Sequence, residues 1–314
     1  MALLYDLTYT LNTVTQIKEH FNIDRKFINE SFTHKEKVHS FQLFQEELNK
    51  DKFFIGRLSG NETLFVSCVI YNIEIHEWLV NNMLYGAGIQ FTNYEDIIKY
   101  KDLYNNSVLN TTLLGSWDIL YTHTEIYLEY LKDKNVKKIC AQALEPYYFM
   151  NEPIYNLNNL LKGKKILIIT SHKETTILQI DKVDKLFNKP IFDNNAVYIY
   201  KPSQQNGGNH DTNSWIYHYN LMTIDILKIK QVFSFDLALV SAGGFGMLLC
   251  NFIYENTSAS VIYVGGPLQL YFGIMGKRWE ENSEIKKCVN DNWTYPLIQD
   301  KPQNTELCEQ GCYW

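Results

Sequence analysis

The sequence predicts a Rossmann-like α/β fold, a mostly parallel sheet with helices on both faces. Three observations predict it. Lys165-Ile166-Leu167-Ile168-Ile169-Thr170 is a nearly continuous apolar run after a Gly-Lys turn, the pattern of a strand buried on both faces. Strand-like and helix-like segments alternate through the second half of the chain, as βαβ units require. Two strands there run into glycine-rich turns, Ser241 to Gly246 and Gly265-Gly266, each followed by a helical segment.

In chain order, residues 10–22 read as helical. Phe53-Phe54-Ile55 reads as a short strand, followed by a helix from Asn61 with Leu64, Phe65, Cys68 and Val69 on one face. Asn93 to Tyr104 reads as a helix capped by Asn93. Thr111 to Gly115 and Lys138 to Ala141 read as strands, with Ile126 to Leu131 helical between them. After the 165–170 strand come a helix over 174–187, a strand over 196–200, a polar loop over 202–213 and a helix over 215–230. The strand Phe235 to Val240 leads to a helix over 247–254. The strand Ala259 to Val264 leads to a helix over 268–271. One domain over 1–314 is expected, elaborated over about 1–50 and wrapped by a coil over about 290–314.

Composition narrows the function classes. The 46% apolar content and the net charge of -6 exclude a disordered chain. No basic stripe is present, so nucleic acid is not an expected partner. No run approaches the roughly 18 apolar residues of a membrane span, and the first residues lack a basic, then apolar, leader pattern. A cytoplasmic location is expected, the host cytoplasm if the source is viral. Of the six cysteines, Cys68, Cys140 and Cys250 sit in apolar segments, and Cys308-x-x-x-Cys312 has no second pair, so zinc is not expected.

Four places could carry chemistry. Ser241-Ala242-Gly243-Gly244-Phe245-Gly246 joins a strand to a helix, where backbone N–H groups and the helix N-terminus favour a phosphate. Leu249 stands where a dinucleotide fingerprint has its third glycine, and the next strand ends in Val264-Gly265 without a ribose-binding acid. Both absences set NAD aside, and the absence of a Walker pattern sets P-loop chemistry aside. Gly273-x-x-Gly276-Lys277-Arg278-Trp279 offers an adjacent Lys and Arg that can clamp a diphosphate, or simply form a solvated helix end. Arg57-Leu58-Ser59-Gly60-Asn61-Glu62 ends a strand and opens a helix. Spacing alone suits Glu62 to a helix-dipole role, and a base or metal ligand is the alternative. Thr170-Ser171-His172 follows the strongest strand, and a lone histidine there is more often structural than catalytic.

The runs Ala238 to Met247, Val264 to Ile274 and Gly276-Lys277-Arg278-Trp279 resemble a poorly characterised family found in bacterial surface-polysaccharide gene neighbourhoods and in large DNA viruses. The segment Ile55 to Glu62 and the ending Gly311-Cys312-Tyr313-Trp314 fit the same family, so the resemblance covers about residues 53–314. That family is similar in turn to glycosyltransferases of the GT-D fold, which carry an Arg-x-x-Asp-x-Glu motif serving a metal and the nucleotide-sugar diphosphate. The matching positions here are Arg57, Gly60 and Glu62, with glycine in place of the aspartate. Losing a carboxylate weakens a site for Mn²⁺ or Mg²⁺.

The resemblance implies a GT-D-like glycosyltransferase that moves a sugar from a nucleotide-sugar, a UDP-sugar first among them, to a glycan hydroxyl. It implies Glu62 and Arg57 as catalytic, with Glu62 the one candidate ligand for Mn²⁺ or Mg²⁺. Asn61, His172, Ser241, Gly243, Gly244, Gly246, Gly265, Gly266, Gln269, Lys277 and Arg278 would bind the donor. Trp117 is a further pocket candidate. Rival readings are a non-catalytic nucleotide- or sugar-binding module and an S-adenosylmethionine-dependent methyltransferase. The oligomeric state is open, and a homodimer is compatible with the sequence.

Overall fold

The structure, a computed structural model, describes residues 32–117 and 127–314, with the backbone alone at 158 and 159. The helix expected over 10–22 and residue Ile126 lie outside the described residues.

Seven strands form one sheet: β1 (Phe54–Arg57), β2 (Leu113–Ser116), β3 (Lys138–Cys140), β4 (Lys165–Thr170), β5 (Ala196–Tyr200), β6 (Leu237–Ser241) and β7 (Ser260–Tyr263). Their order is β3-β2-β1-β7-β6-β4-β5, and every pairing is parallel. The expected Rossmann-like α/β fold is what forms. The main helices are α1 (His34–Leu48), α2 (Gly60–Ile70), α3 (Tyr94–Leu109), α4 (Lys173–Gln179), α5 (Trp215–Val232) and α6 (Gly246–Asn256).

The two-residue period of a strand explains the layers. Leu167 and Ile169 of β4 face one side with Ala238, Val240 and Val261, and α2, α3, α5 and α6 cover them. Ile166 and Ile168 face the other side with Leu239 and Ile262, under α1 and the irregular segments 141–161 and 266–285. These four β4 side chains are fully buried, and each contributes about 1.5–3 kcal/mol of apolar burial.

Local chemistry fixes the helix starts. Thr33 and Glu36 form a reciprocal capping box on α1, with Glu36 N–H donating to Thr33 Oγ1 at 3.3 Å. Asn93 Oδ1 accepts from Asp96 N at 3.0 Å, the expected cap of α3. The helix expected over 174–187 stops at Gln179. Its side-chain amide donates to the Phe272 and Asn292 carbonyls, at 3.1 and 2.7 Å, while Ile180–Lys182 tightens into a 3₁₀ turn. The helix expected over 268–271 is a 3₁₀ segment, Gly266–Phe272, with Pro267 in its first turn. The expected coil after residue 290 contains three 3₁₀ turns, Ile298–Asp300, Thr305–Leu307 and Glu309–Gly311. Among the described residues no helix is long and apolar enough to cross a membrane.

Candidate functional site

A cavity of about 850 Å³ opens at the carboxyl ends of the strands. Residues at or just after β1, β2, β4, β5, β6 and β7 line it, which is where α/β sheets bind ligands. A smaller hollow of about 240 Å³ lies at the amino ends, lined by Asp51, Lys164 and Asp236 among others. That edge has no converging strand-to-helix turns.

The β1–α2 turn brings Arg57, Asn61 and Glu62 to the wall. Arg57 is 7% exposed, donates from Nη1 to the Val264 carbonyl, and lies over the Trp117 ring at 4.1 Å. Trp117 is held by its Nε1–H donating to the Leu58 carbonyl at 2.9 Å. Glu62 is the third residue of α2 and is buried. Burial raises its pKa above the ordinary carboxylate value, and the Glu309 carboxylate adds to the rise; a bond from the Ser59 side chain and the Arg57 charge oppose it. Three buried phenols, Tyr100, Tyr104 and Tyr263, feel the Glu62 charge.

From β4 comes His172, 4% exposed and lining the cavity. Burial lowers its pKa to about 4, so the ring is neutral at pH 7. It bonds to the Tyr313 backbone, while its Nε2 meets no protein partner. Gln269 also lines the cavity with Oε1 unpartnered, its amide nitrogen donating to the Ile274 and Tyr313 carbonyls at 3.1 Å. Buried polar atoms without partners are rare, and these two are themselves closed to solvent although their residues line the cavity.

The glycines divide into two groups. Ser241, Gly243, Gly265 and Gly266 line the cavity. Gly244 and Gly246, also expected to hold the donor, do not. A Cβ on Gly244 would sit 2.4 Å from Ile89 Cγ1, and one on Gly246 would sit 2.0 Å from the Tyr263 ring. The Gly244 amide donates to the Ala87 carbonyl at 2.8 Å. These two glycines admit neighbouring protein, not a phosphate.

The basic pair also divides. Arg278 lines the cavity and Lys277 does not. Arg278 stacks on Tyr313 at 4.7 Å, donates to its hydroxyl at 2.8 Å, and pairs with Glu309. The Gly-Lys-Arg-Trp and Gly-Cys-Tyr-Trp words therefore meet in space. Arg278 N–H donates to the Cys312 carbonyl at 2.9 Å, and a Cβ on Gly276 would stand 2.9 Å from the Cys312 and Tyr313 carbonyl oxygens.

Three wall segments carry no candidate in the sequence reading: Gly86 to Gly88, Pro202 to Asn206 and Glu306 to Gln310. Gly88, with φ +74°, is the one local signal for the first. The charged lining is Arg57 and Arg278 against Glu62, Glu306 and Glu309. Among the described residues no three His, Cys, Asp or Glu side chains gather as a metal site. Glu62 is buried with a raised pKa, and Gly60 supplies no side-chain oxygen, so this donor set does not fit Mn²⁺ or Mg²⁺.

No protein-family profile, no curated protein and no solved structure matches the chain.

Proposed function

We propose that the protein is a glycosyltransferase that moves a sugar from a nucleotide-sugar to a glycan hydroxyl. The observation that carries the reading is the convergence of Arg57 and Glu62 with the Gly265-Gly266 turn and Arg278 on one cavity at the carboxyl edge of a parallel sheet. The resemblance of the same segments to polysaccharide-locus proteins and GT-D enzymes points the same way.

In this reading the bond between the anomeric carbon and the diphosphate breaks as the acceptor oxygen bonds to that carbon. Arg57 and Arg278 offset the charge growing on the leaving diphosphate. Glu62 takes the acceptor proton. Burial raises the pKa of Glu62, and a carboxylate of raised pKa is a stronger base than an exposed one. His172 and Gln269 form part of the wall against which the donor lies. No step is assigned to a metal ion.

A second reading, a non-catalytic nucleotide- or sugar-binding module, is favoured by Gly60 in place of a carboxylate and by the Glu309 carboxylate already on Arg278. Thermal shifts with UDP-, GDP- and dTDP-sugars and with S-adenosylmethionine, each with and without Mn²⁺, identify the ligand class. Donor-consumption assays then separate transfer from binding. Glu62→Gln should bind the donor yet lose transfer by roughly 100-fold or more. Full transfer by that variant would remove Glu62 from the mechanism. Stabilisation by S-adenosylmethionine alone would replace the reading.

A further inference from the structure

The loop after β5 brings a serine, a histidine and an aspartate into one hydrogen-bonded line. Ser203 lies on the cavity wall, and its Oγ is 2.8 Å from Nδ1 of His218, in the first turns of α5. Nε2 of the same ring is 3.1 Å from Asp211 Oδ1. The direction of the line is set by Asp211. A carboxylate only accepts, so in a neutral imidazole Nε2 carries the hydrogen toward Asp211 and Nδ1 accepts from Ser203 Oγ. Gln205 Nε2 also donates to Ser203 Oγ, at 3.0 Å.

Asp211 is held for that role. Its carboxylate accepts from the Asn213 backbone at 2.8 Å and from the Asn213 side chain at 3.1 Å, which keep it below the ordinary aspartate pKa and charged. His218 is 5% exposed, so its imidazole works away from bulk water. The loop is itself anchored. Gly207 N–H donates to the Tyr85 carbonyl at 2.8 Å, and Gly208 N–H donates to the Gln303 carbonyl. Beside the serine, the peptide N–H of Gln204 meets no acceptor among the described residues. The residue after a nucleophilic serine is a common source of an oxyanion-binding N–H.

We propose that Ser203, His218 and Asp211 form a nucleophilic relay that cleaves carboxylic esters of small acyl groups entering the cavity. Ser203 Oγ adds to the ester carbonyl as its proton passes to His218 Nδ1. The carbon–oxygen bond to the alcohol breaks, and His218 returns the proton to the leaving alkoxide. Water then adds to the acyl-serine by the same route, releasing the carboxylic acid and restoring Ser203. The imidazole nitrogens are used in the opposite sense from serine proteases, where Nε2 faces the serine; either nitrogen can accept the proton. The proposal does not depend on sugar transfer, since it concerns a different bond and different residues.

The test uses the full chain. Incubation with a fluorophosphonate, then peptide mass spectrometry, should find the adduct on Ser203. p-Nitrophenyl acetate should be hydrolysed with a loss of about 100-fold or more in Ser203→Ala and in His218→Gln. Asp211→Asn should lose roughly tenfold or more. An adduct absent from Ser203, or forming at the wild-type rate in a folded His218→Gln protein, overturns the proposal. If His218→Gln does not fold, Ser203→Cys replaces it. The relay predicts that the thiol introduced by Ser203→Cys reacts with iodoacetamide in mildly acidic buffer faster than any of the native cysteines. A rate no faster than theirs overturns it equally.

Discussion

His172 is neutral because it is buried, and that has a consequence for stability. Its pKa of about 4 lies below the 6.5 of an exposed histidine. Above pH 6.5 neither folded nor unfolded chain protonates it. Between pH 6.5 and about 4 only the unfolded chain takes the proton, so stability falls as the pH falls through that window. The shift corresponds to roughly 3 kcal/mol. Unfolding free energy measured by urea titration from neutral pH down to about pH 4 should show this slope, and His172→Gln should flatten it. An unchanged slope in the variant would show that the imidazole is hydrated in solution. Glu62 acts with the opposite sign. Its folded pKa is raised, so its contribution is fully present below pH 4.5 and is lost as the pH rises through the folded value. Arg57 and Glu62 are legible in the sequence because a strand end and a helix start flank them. Ser203, Asp211 and His218 are not. They sit in a polar loop and on a helix whose rotation is set only when Trp215, Met222 and Ile226 enter the core.

At the scale of elements, the β6–α6 and β7 turns separate packing from binding. Gly246→Ala places a Cβ against the Tyr263 ring and should cost about 1–3 kcal/mol, seen as a lower Tm. Gly265 has φ +70° and faces Arg57, whose Nη1 would be 3.3 Å from a Cβ. Gly265→Ala should both strain the turn and weaken nucleotide-sugar binding, whereas folded Gly246→Ala protein, whose added Cβ reaches the cavity only through the Tyr263 ring, should lose less. Titration calorimetry distinguishes the two. The C-terminal strap, residues 298–314, carries Glu309, which occupies the guanidinium proposed to face the diphosphate. Glu309→Gln removes one carboxylate from the cavity and should tighten donor binding several-fold, more at low salt than at high salt. Weaker binding would mean that Glu309 orients Arg278 instead of masking it. The strands and their glycine turns are legible because apolar runs and turn residues are local signals. The strap is not, because its 3₁₀ turns have no hydrophobic period and take their place from contacts of Tyr313 with Arg278, of Asp300 with Thr175 and of Gln303 with Asn209.

For the whole molecule, Asp300 is the tie between the last segment and the sheet. Its carboxylate is fully buried, accepting from the Glu174 and Thr175 amides at 3.1 and 2.7 Å and from Thr175 Oγ1 at 2.6 Å. Its own carbonyl accepts from Trp314 Nε1 and Gln204 Nε2, both at 3.2 Å. Asp300→Ala strands the two amides at the start of α4 and should cost roughly 2–4 kcal/mol. It should also open residues 301–314 to limited proteolysis before the rest of the chain. Simultaneous cleavage throughout would show that the strap has no separate stability.

The strand order carries one more implication. Strands β1 to β3 come from residues 54–140, and β4 to β7 come from residues 165–263. The sheet is thus two consecutive stretches of chain joined along a single seam, where Phe54 faces Val261 across 207 positions. Arg57 and Lys52 cross that seam to the Val264 and Thr257 carbonyls. Closing a loop of such high sequence separation is entropically costly, so this seam should be the last in the sheet to form. Before it closes, β7 exposes Ser260-Val261-Ile262-Tyr263 as an unpaired apolar edge, the kind that recruits another chain. The cavity spans this same seam, so the last pairing to form in the sheet also completes the site, and any crowding of nascent chains competes directly with its assembly.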